Sequence, residues 1–149
     1  MARLDSKLES EGAEFLVLGA LLIERINANK SYRNTPGYDL VATNPRLRKS
    51  CTIQVKSRWA TDSDGGFLIK NMGSDFVVFV ALNRGYRYSK PKKGEAPKLE
   101  PVFYVFPIKV LKKVPRTKGW GRLFLHHIPN HENFRGRWEL IKEHLEVKR

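Results

Sequence analysis

Between Gly37 and Trp59 the chain reads as two short strands joined by a basic turn. Asp39 sits on the first, between Tyr38 and Leu40, and the second alternates Ile53, Gln54, Val55, Lys56. Side chains on a strand switch faces at each step, so Gln54 and Lys56 emerge together while Ile53 and Val55 go the other way. A Gln and a Lys side by side on an apolar strand waste core-facing area unless that face lines a site. A carboxylate, an amide oxygen and an ammonium gathered at one point suit metal-assisted cutting of a phosphodiester.

That reaction needs an activated water, relief of charge on the phosphate and stabilisation of the leaving oxygen. A bound Mg²⁺ supplies much of this as a Lewis acid and by lowering the pKa of its water. The ion takes few protein oxygens and keeps several waters. Asp39 can give a carboxylate oxygen, Gln54 an uncharged amide oxygen, and the backbone carbonyl of Val55 lies between the two site residues. Lys56 would orient the nucleophile and offset developing charge. Gln in place of an acid weakens the pull on a cation, so a second carboxylate from elsewhere is expected. Glu14 is the candidate and Glu11 its rival, and helical spacing alone puts Glu11 nearer the apolar stripe. Each residue also has an ordinary use. Asp39 suits the Pro36-Gly37 turn, Lys56 a half-exposed strand, and Gln54 a cross-strand pair.

The elements that must position these groups follow from periodicity. Residues 5–29 predict a helix, capped at Asp5 or Ser6. Leu8, Phe15, Leu18, Leu22 and Ile26 make its stripe. Leu16, Val17, Leu21 and Ile23 cover much of the rest, which predicts burial on more than one side. Asn27, Asn29 and the Asn34-Thr35-Pro36-Gly37 turn end the segment. Strands are expected at 38–43, 51–58 and 67–70. Asp75 to Leu82 is nearly all apolar, the pattern of a central strand covered on both faces. Residues 83–100 lack periodicity and read as a loop. A strand follows at 102–106, then a short helix at 108–114 behind Pro107. Leu123 to Ile128 predicts an edge strand, with His126 and His127 facing opposite ways. Asn130 suits the cap of a last helix carrying Phe134, Trp138, Leu140, Ile141 and Leu145.

A chain of 149 residues predicts one domain over 1–149, and 41% hydrophobic residues are too many for disorder. The formal charge of +13 favours a polyanionic partner: DNA, RNA or an anionic membrane face. The charge is uneven. Residues 1–29 carry a net of −2 and residues 83–118 a net of +9, with Tyr86, Tyr88 and Trp120 interleaved or adjoining. Such a rim grips phosphates and can stack on bases, with backbone grip the more economical use. One cysteine, Cys51, excludes an intramolecular disulfide and a cysteine-rich zinc cage, and reads as a small core residue. The four histidines form no zinc set and read as structural or surface residues. No Gly-x-x-x-x-Gly-Lys-Ser/Thr loop is present, so ATP use is not indicated. The N-terminus is unlike a signal peptide, and the Phe15–Ile23 run is too short to span a bilayer. A cytoplasmic, intracellular address without membrane association is expected.

Glu14, then Asp39, then Gln54-Val55-Lys56 resembles the PD-(D/E)XK nuclease superfamily, in its Gln-x-Lys branch. Mrr-type restriction nucleases and small bacterial or intron-associated endonucleases belong to that branch. Gly12-Ala13-Glu14-Phe15-Leu16-Val17 is similar to the family's first helix, and Gly37-Tyr38-Asp39-Leu40 to the strand with the metal aspartate. Asp75-Phe76-Val77-Val78-Phe79 and Phe103-Tyr104-Val105-Phe106-Pro107 resemble later core strands. The likeness spans roughly residues 12 to 107. It departs from the common pattern in Gln54, where Glu or Asp is usual, and in the missing Pro before Asp39. The resemblance chooses Glu14 over Glu11. It implies an α/β, restriction-endonuclease-like core: a mixed sheet of four or five strands with helices on both sides. It further implies Mg²⁺-dependent hydrolysis of DNA phosphodiesters, with Glu14, Asp39, Gln54 and Lys56 catalytic. Glu14, Asp39, Gln54 and Val55 would hold the metal, and Mn²⁺ would substitute. One site cuts one strand, so a homodimer or higher homo-oligomer is expected. Ser57, Arg58, Arg84, Arg87, Lys90, Lys92 and Lys93 are candidate DNA contacts. The rival readings are a nuclease-fold DNA-binding module too weak in metal to cut, and a basic RNA-associated protein.

Overall fold

The computed structural model describes residues 6–31, 37–61, 66–85, 98–116 and 121–148. Its centre is a five-stranded mixed sheet. In chain order the strands are β1 (Asn27–Lys30), β2 (Leu40–Asn44), β3 (Lys49–Arg58), β5 (Phe76–Ala81) and β6 (Val102–Pro107), and they lie side by side in that order. β3 and β5 run parallel and the other neighbours antiparallel. A separate two-stranded ribbon joins β4 (Phe67–Leu68) to β7 (Arg122–Leu123). The helices are α1 (Ser6–Ile23), α2 (Ile108–Lys112) and α3 (Glu139–Leu145). The expected fold class is therefore what is observed: a mixed five-stranded sheet flanked by helices.

Each sheet face carries its own core. On the first, Leu40, Ala42, Cys51, Ile53, Phe76, Val78 and Val105 meet α1 and α3. On the second, Val77, Phe79, Tyr104 and Phe106 meet α2, the ribbon and Ile128. Phe67 of the ribbon stacks on Phe79 at 4.9 Å. β5 is buried on both faces, as its apolar run predicts. Cys51 is buried in the first core, where loss of solvent drives its thiol pKa up to about 12, with the Asp75 charge acting the same way.

The first helix departs from expectation in length and in orientation. It stops at Ile23, and Arg25 adopts a left-handed φ of 65°. Ile26 then donates to the Leu21 carbonyl at 2.9 Å and Arg25 to that of Leu22 at 3.0 Å. This is a Schellman closure, with Ile26 supplying the hydrophobic contact behind it. The chain reverses there and returns as β1, so Asn27 and Asn29 are strand residues rather than a turn. Burial on more than one side does not hold either. Ala13, Val17 and Leu21 face the sheet. Leu8, Phe15 and Leu22 of the expected stripe are 72%, 51% and 48% exposed. The helix has two apolar stripes of similar strength, and the smaller side chains let its backbone approach the sheet.

The C-terminal third also differs. The expected edge strand at 123–128 pairs only as β7, because β4 offers two residues. His127 and Ile128 instead close a 3-10 turn over Leu125–His127. Both histidines are exposed there with ring centres 4.2 Å apart, not on opposite faces. Asn130 caps no helix. It takes a left-handed φ of 55° ahead of a second 3-10 turn, His131–Phe134. A helix from Asn130 cannot run through Gly136, whose N–H is spent on the Phe103 carbonyl of β6 at 2.8 Å, and α3 starts at Glu139. Trp138 packs on Phe103 as a core residue.

Candidate active site

β3 is twice as long as its partner β2. Their ladder ends at the Leu40–Ile53 pair, and β3 runs on to Arg58 with only β5 beside it. Asp39 stands at the resulting notch, one residue before β2 begins. Its N–H donates to the Ile53 carbonyl at 2.9 Å, and its own carbonyl accepts from Ser31 at 2.9 Å. Its carboxylate Oδ2 accepts from the Val55 N–H at 2.8 Å, beyond the end of the ladder. That bond fixes the carboxylate with one oxygen against the strand. The N–H and C=O of a strand residue share an edge, so the Val55 carbonyl faces the same notch.

Gln54 and Lys56 are level with Val77 and Phe79 across the parallel pair and share their face. The face assignment expected from alternation therefore holds. Gln54 is 6% exposed. Its Nε2 donates to the Asn71 carbonyl at 2.9 Å and to the Gly37 carbonyl at 3.4 Å. Both amide hydrogens are committed, so Oε1 is the acceptor left for the cavity. Gly37 has φ of 98°, and a Cβ there would meet Asn71 at 2.9 Å. Only glycine brings this carbonyl to the amide without strain.

Glu14 reaches the notch from α1, which packs on β1 and β3. Glu14, Asp39, Gln54, Val55 and Lys56 thus line one cavity of about 630 Å³. Burial raises the Glu14 pKa, the charge of Asp39 adds to that, and Lys30 opposes it. Burial also lowers the Lys56 pKa, while Asp39 pulls it up and Lys70 pushes it down. Asp39 is thus electrostatically coupled both to the second acid and to the ammonium. Glu11 lies outside, exposed and ion-paired with Lys30. A cavity of about 710 Å³ between β2 and α3 is larger. Several of its polar groups are already matched: Asn44 donates to the Leu145 carbonyl, and Glu146, Glu139 and Lys142 are ion-paired with Lys49, Arg137 and Glu24.

Ser57 and Arg58 end β3 half-buried and do not line the cavity; neither does Arg84, exposed and bridged to Lys98. Arg87, Lys90, Lys92 and Lys93 lie outside the described residues, as do Tyr86, Tyr88 and Trp120. Of the other cavity residues, Ser10, Leu68, Lys70 and Asn71 carry no site role in the sequence. Lys70 and Asn71 come from the segment after β4, and no local pattern says that this segment crosses the mouth of β3.

Among the described residues no three His, Cys, Asp or Glu side chains gather around one point. The donors that do converge are two carboxylates, one amide oxygen and one backbone carbonyl. An all-oxygen set with two negative charges fits a hard divalent ion such as Mg²⁺ and suits a thiolate- or imidazole-seeking metal poorly.

No family model and no curated protein matches the chain. Among solved structures it is similar to the bacterial homing endonuclease I-Ssp6803I, at 24% identity over 93% of each chain, with a TM-score of 0.58. The likeness is one of fold: both chains share this α/β architecture over nearly their whole lengths. No helix among the described residues is long and apolar enough to cross a membrane.

Proposed function

We propose that the protein is a Mg²⁺-dependent endonuclease that hydrolyses DNA phosphodiester bonds, of the PD-(D/E)XK type in its Gln-x-Lys form, acting inside the cell. The observation that carries this reading is the convergence of Glu14, Asp39, the Gln54 amide and Lys56 on one cavity. The fold shared with a homing endonuclease and the charge of +13 support it. When bound, Mg²⁺ supplies Lewis acidity and a more acidic water, and Mn²⁺ would substitute. Glu14, Asp39, the Gln54 Oε1 and the Val55 carbonyl are the oxygens that would hold it. The Lys56 ammonium, half-buried beside Asp39, orients the attacking water and offsets charge developing on the phosphate. The other rim cations bind the DNA backbone and set register without reading sequence.

A cleavage panel tests the reading: plasmid, linear duplex, single strand and four-way junction, each with and without Mg²⁺. Metal-dependent nicking of at least one form is expected. Lys56→Ala is expected to lose cleavage by a factor of about 10²–10³ while keeping DNA affinity. Absence of nicking with both Mg²⁺ and Mn²⁺ would instead favour a DNA-binding module of the same fold. A preference for RNA over DNA of equal length, indifferent to divalent ions, would favour an RNA-associated protein.

The same reading asks for two sites per duplex cut, and we propose a homodimer built on α1. Leu8, Phe15 and Leu22 recur every seven residues and stay exposed, with Leu16 and Ile23 beside them. Nothing lies within 4 Å of where a Cβ at Gly12 or Gly19 would stand, so a second backbone has room to approach. An isologous helix pair would cover this face and place two Glu14-bearing flanks symmetrically. Sedimentation should find a dimer at micromolar concentration. Phe15→Lys combined with Leu22→Lys is expected to give a monomer that nicks plasmid but no longer linearises it. A monomeric wild type would rule the interface out.

A further inference from the structure

Lys70 lines the cavity alongside Lys56, and the proposed reaction has so far given this second ammonium no task of its own. It sits on the segment 66–73, which passes over the outward face of β3. Four features hold that segment still. Phe67 and Ile69 are buried in the second core, 4% and 1% exposed. Arg116 donates through Nη1 to the Ile69 carbonyl at 2.8 Å. Gln54 donates to the Asn71 carbonyl at 2.9 Å. The Asn71 side chain accepts from the Gly73 N–H at 2.7 Å. The anchors at 69 and 71 flank Lys70 directly, so its Cα is positioned even though its side chain is exposed. Alternation along the segment puts Ile69 inward and Leu68 and Lys70 on the cavity.

The cavity is electrically polarised. Glu14 and Asp39 supply two negative charges and Lys56 and Lys70 two positive ones, all on one wall set. The charges felt by Lys56 are those of Asp39 and Lys70, whereas Glu14 feels Asp39, Lys30 and Glu11. Asp39 is the charge that the acid and the ammonium both feel. Among the described residues no carboxylate is ion-paired with Lys70. Two ammonium groups facing one space repel each other and are relieved by an anion with several oxygens between them. A phosphodiester has two non-bridging oxygens and fits that description.

We propose that Lys70 contacts a non-bridging oxygen of the scissile phosphodiester, leaving Lys56 for the attacking water. This rests on the nuclease reading of the same cavity and adds a second cation to it. As the phosphoryl group transfers, charge spreads over its non-bridging oxygens, and a preplaced ammonium there lowers the barrier without reorganising.

The test uses the whole chain with Lys70→Met and Lys70→Arg and a short DNA duplex, with two readouts. The first is binding in Ca²⁺ as a function of salt. One lost phosphate contact is expected to reduce the slope of log K against log salt by about 0.9 in Lys70→Met. Lys70→Arg is expected to keep the slope. The second is turnover at saturating DNA in Mg²⁺, expected to fall about 10²–10³-fold in Lys70→Met and to recover largely in Lys70→Arg. Lys70 is exposed, so melting temperatures should coincide. A Lys70→Met protein with unchanged slope and unchanged turnover, while the wild type cuts, overturns the contact and leaves the nuclease standing. A wild type that never cuts, but whose salt slope still falls in Lys70→Met, overturns the nuclease and leaves the phosphate contact standing.

Discussion

Asp39→Asn is expected to reduce DNA cleavage by more than about 10³-fold while the protein keeps its fold and its affinity for DNA. The substitution is nearly isosteric. The asparagine Oδ1 can still accept from the Val55 N–H, the 2.8 Å bond that ties the side chain to β3. The backbone bonds from Asp39 to Ile53 and from Ser31 to Asp39 do not involve the side chain at all. What disappears is the charge at the notch, together with an oxygen that a hard cation would need, replaced by a donor N–H₂ of the wrong polarity. Two further shifts follow from the electrostatics. Asp39 raises both the Glu14 and the Lys56 pKa, so both are expected to move down in the variant. Turnover against Mg²⁺ concentration, thermal melting and a side-chain NMR titration read all three effects. A variant that cuts at the wild-type rate would remove Asp39 from the chemistry.

Gln54→Glu is expected to destabilise the protein by about 2–4 kcal/mol in the absence of divalent metal, rather than to improve the site. The exchange restores the commoner acid of the resembled family, and on charge alone it would strengthen cation binding. The packing argues otherwise. Gln54 is buried, and its amide hydrogens serve the carbonyls of Asn71 and Gly37. A glutamate in the same place sets a carboxylate oxygen against two carbonyl oxygens and leaves both without a donor. Relief requires either protonation or movement of the Gly37 turn and the 66–73 segment. Urea denaturation with and without Mg²⁺ measures the loss. A Gln54→Glu protein as stable as the wild type would show that the two carbonyls do not depend on the amide.

The same residues show how far the chain could be read in advance. The period-two alternation of Ile53-Gln54-Val55-Lys56 put two polar groups on one face, and the unbroken run from Phe76 to Ala81 marked the strand buried on both sides. Both patterns are local, imposed by the pleat of a strand, and both hold. They mark β3 and β5, whereas β1 lies in the stretch that reads as a helix end and β4 pairs outside the main sheet. Reading failed where two local solutions were close in energy. α1 carries two apolar stripes, and only the packed sheet selected Ala13, Val17 and Leu21 over Leu8, Phe15 and Leu22. The Leu123–Ile128 segment could form a strand, but it lacks a partner of sufficient length. Asn130 could cap a helix, but β6 takes the Gly136 N–H first.

For the candidate site, the sequence by itself determined the kinds of group present and their order along the chain: Glu14, Asp39, Gln54, Lys56. Side-chain chemistry and strand alternation are properties of the residues and their immediate neighbours, so no fold is needed to read them. The tertiary structure alone decided that these groups share one cavity, and it turns Glu14 into it rather than Glu11, the choice that the resemblance implied and helical spacing did not. It also brought Lys70 and Asn71 to complete the wall. Those choices depend on where α1 docks and on where a segment anchored by Ile69 and Arg116 crosses β3, and contacts between residues far apart in sequence leave no periodic trace along the chain.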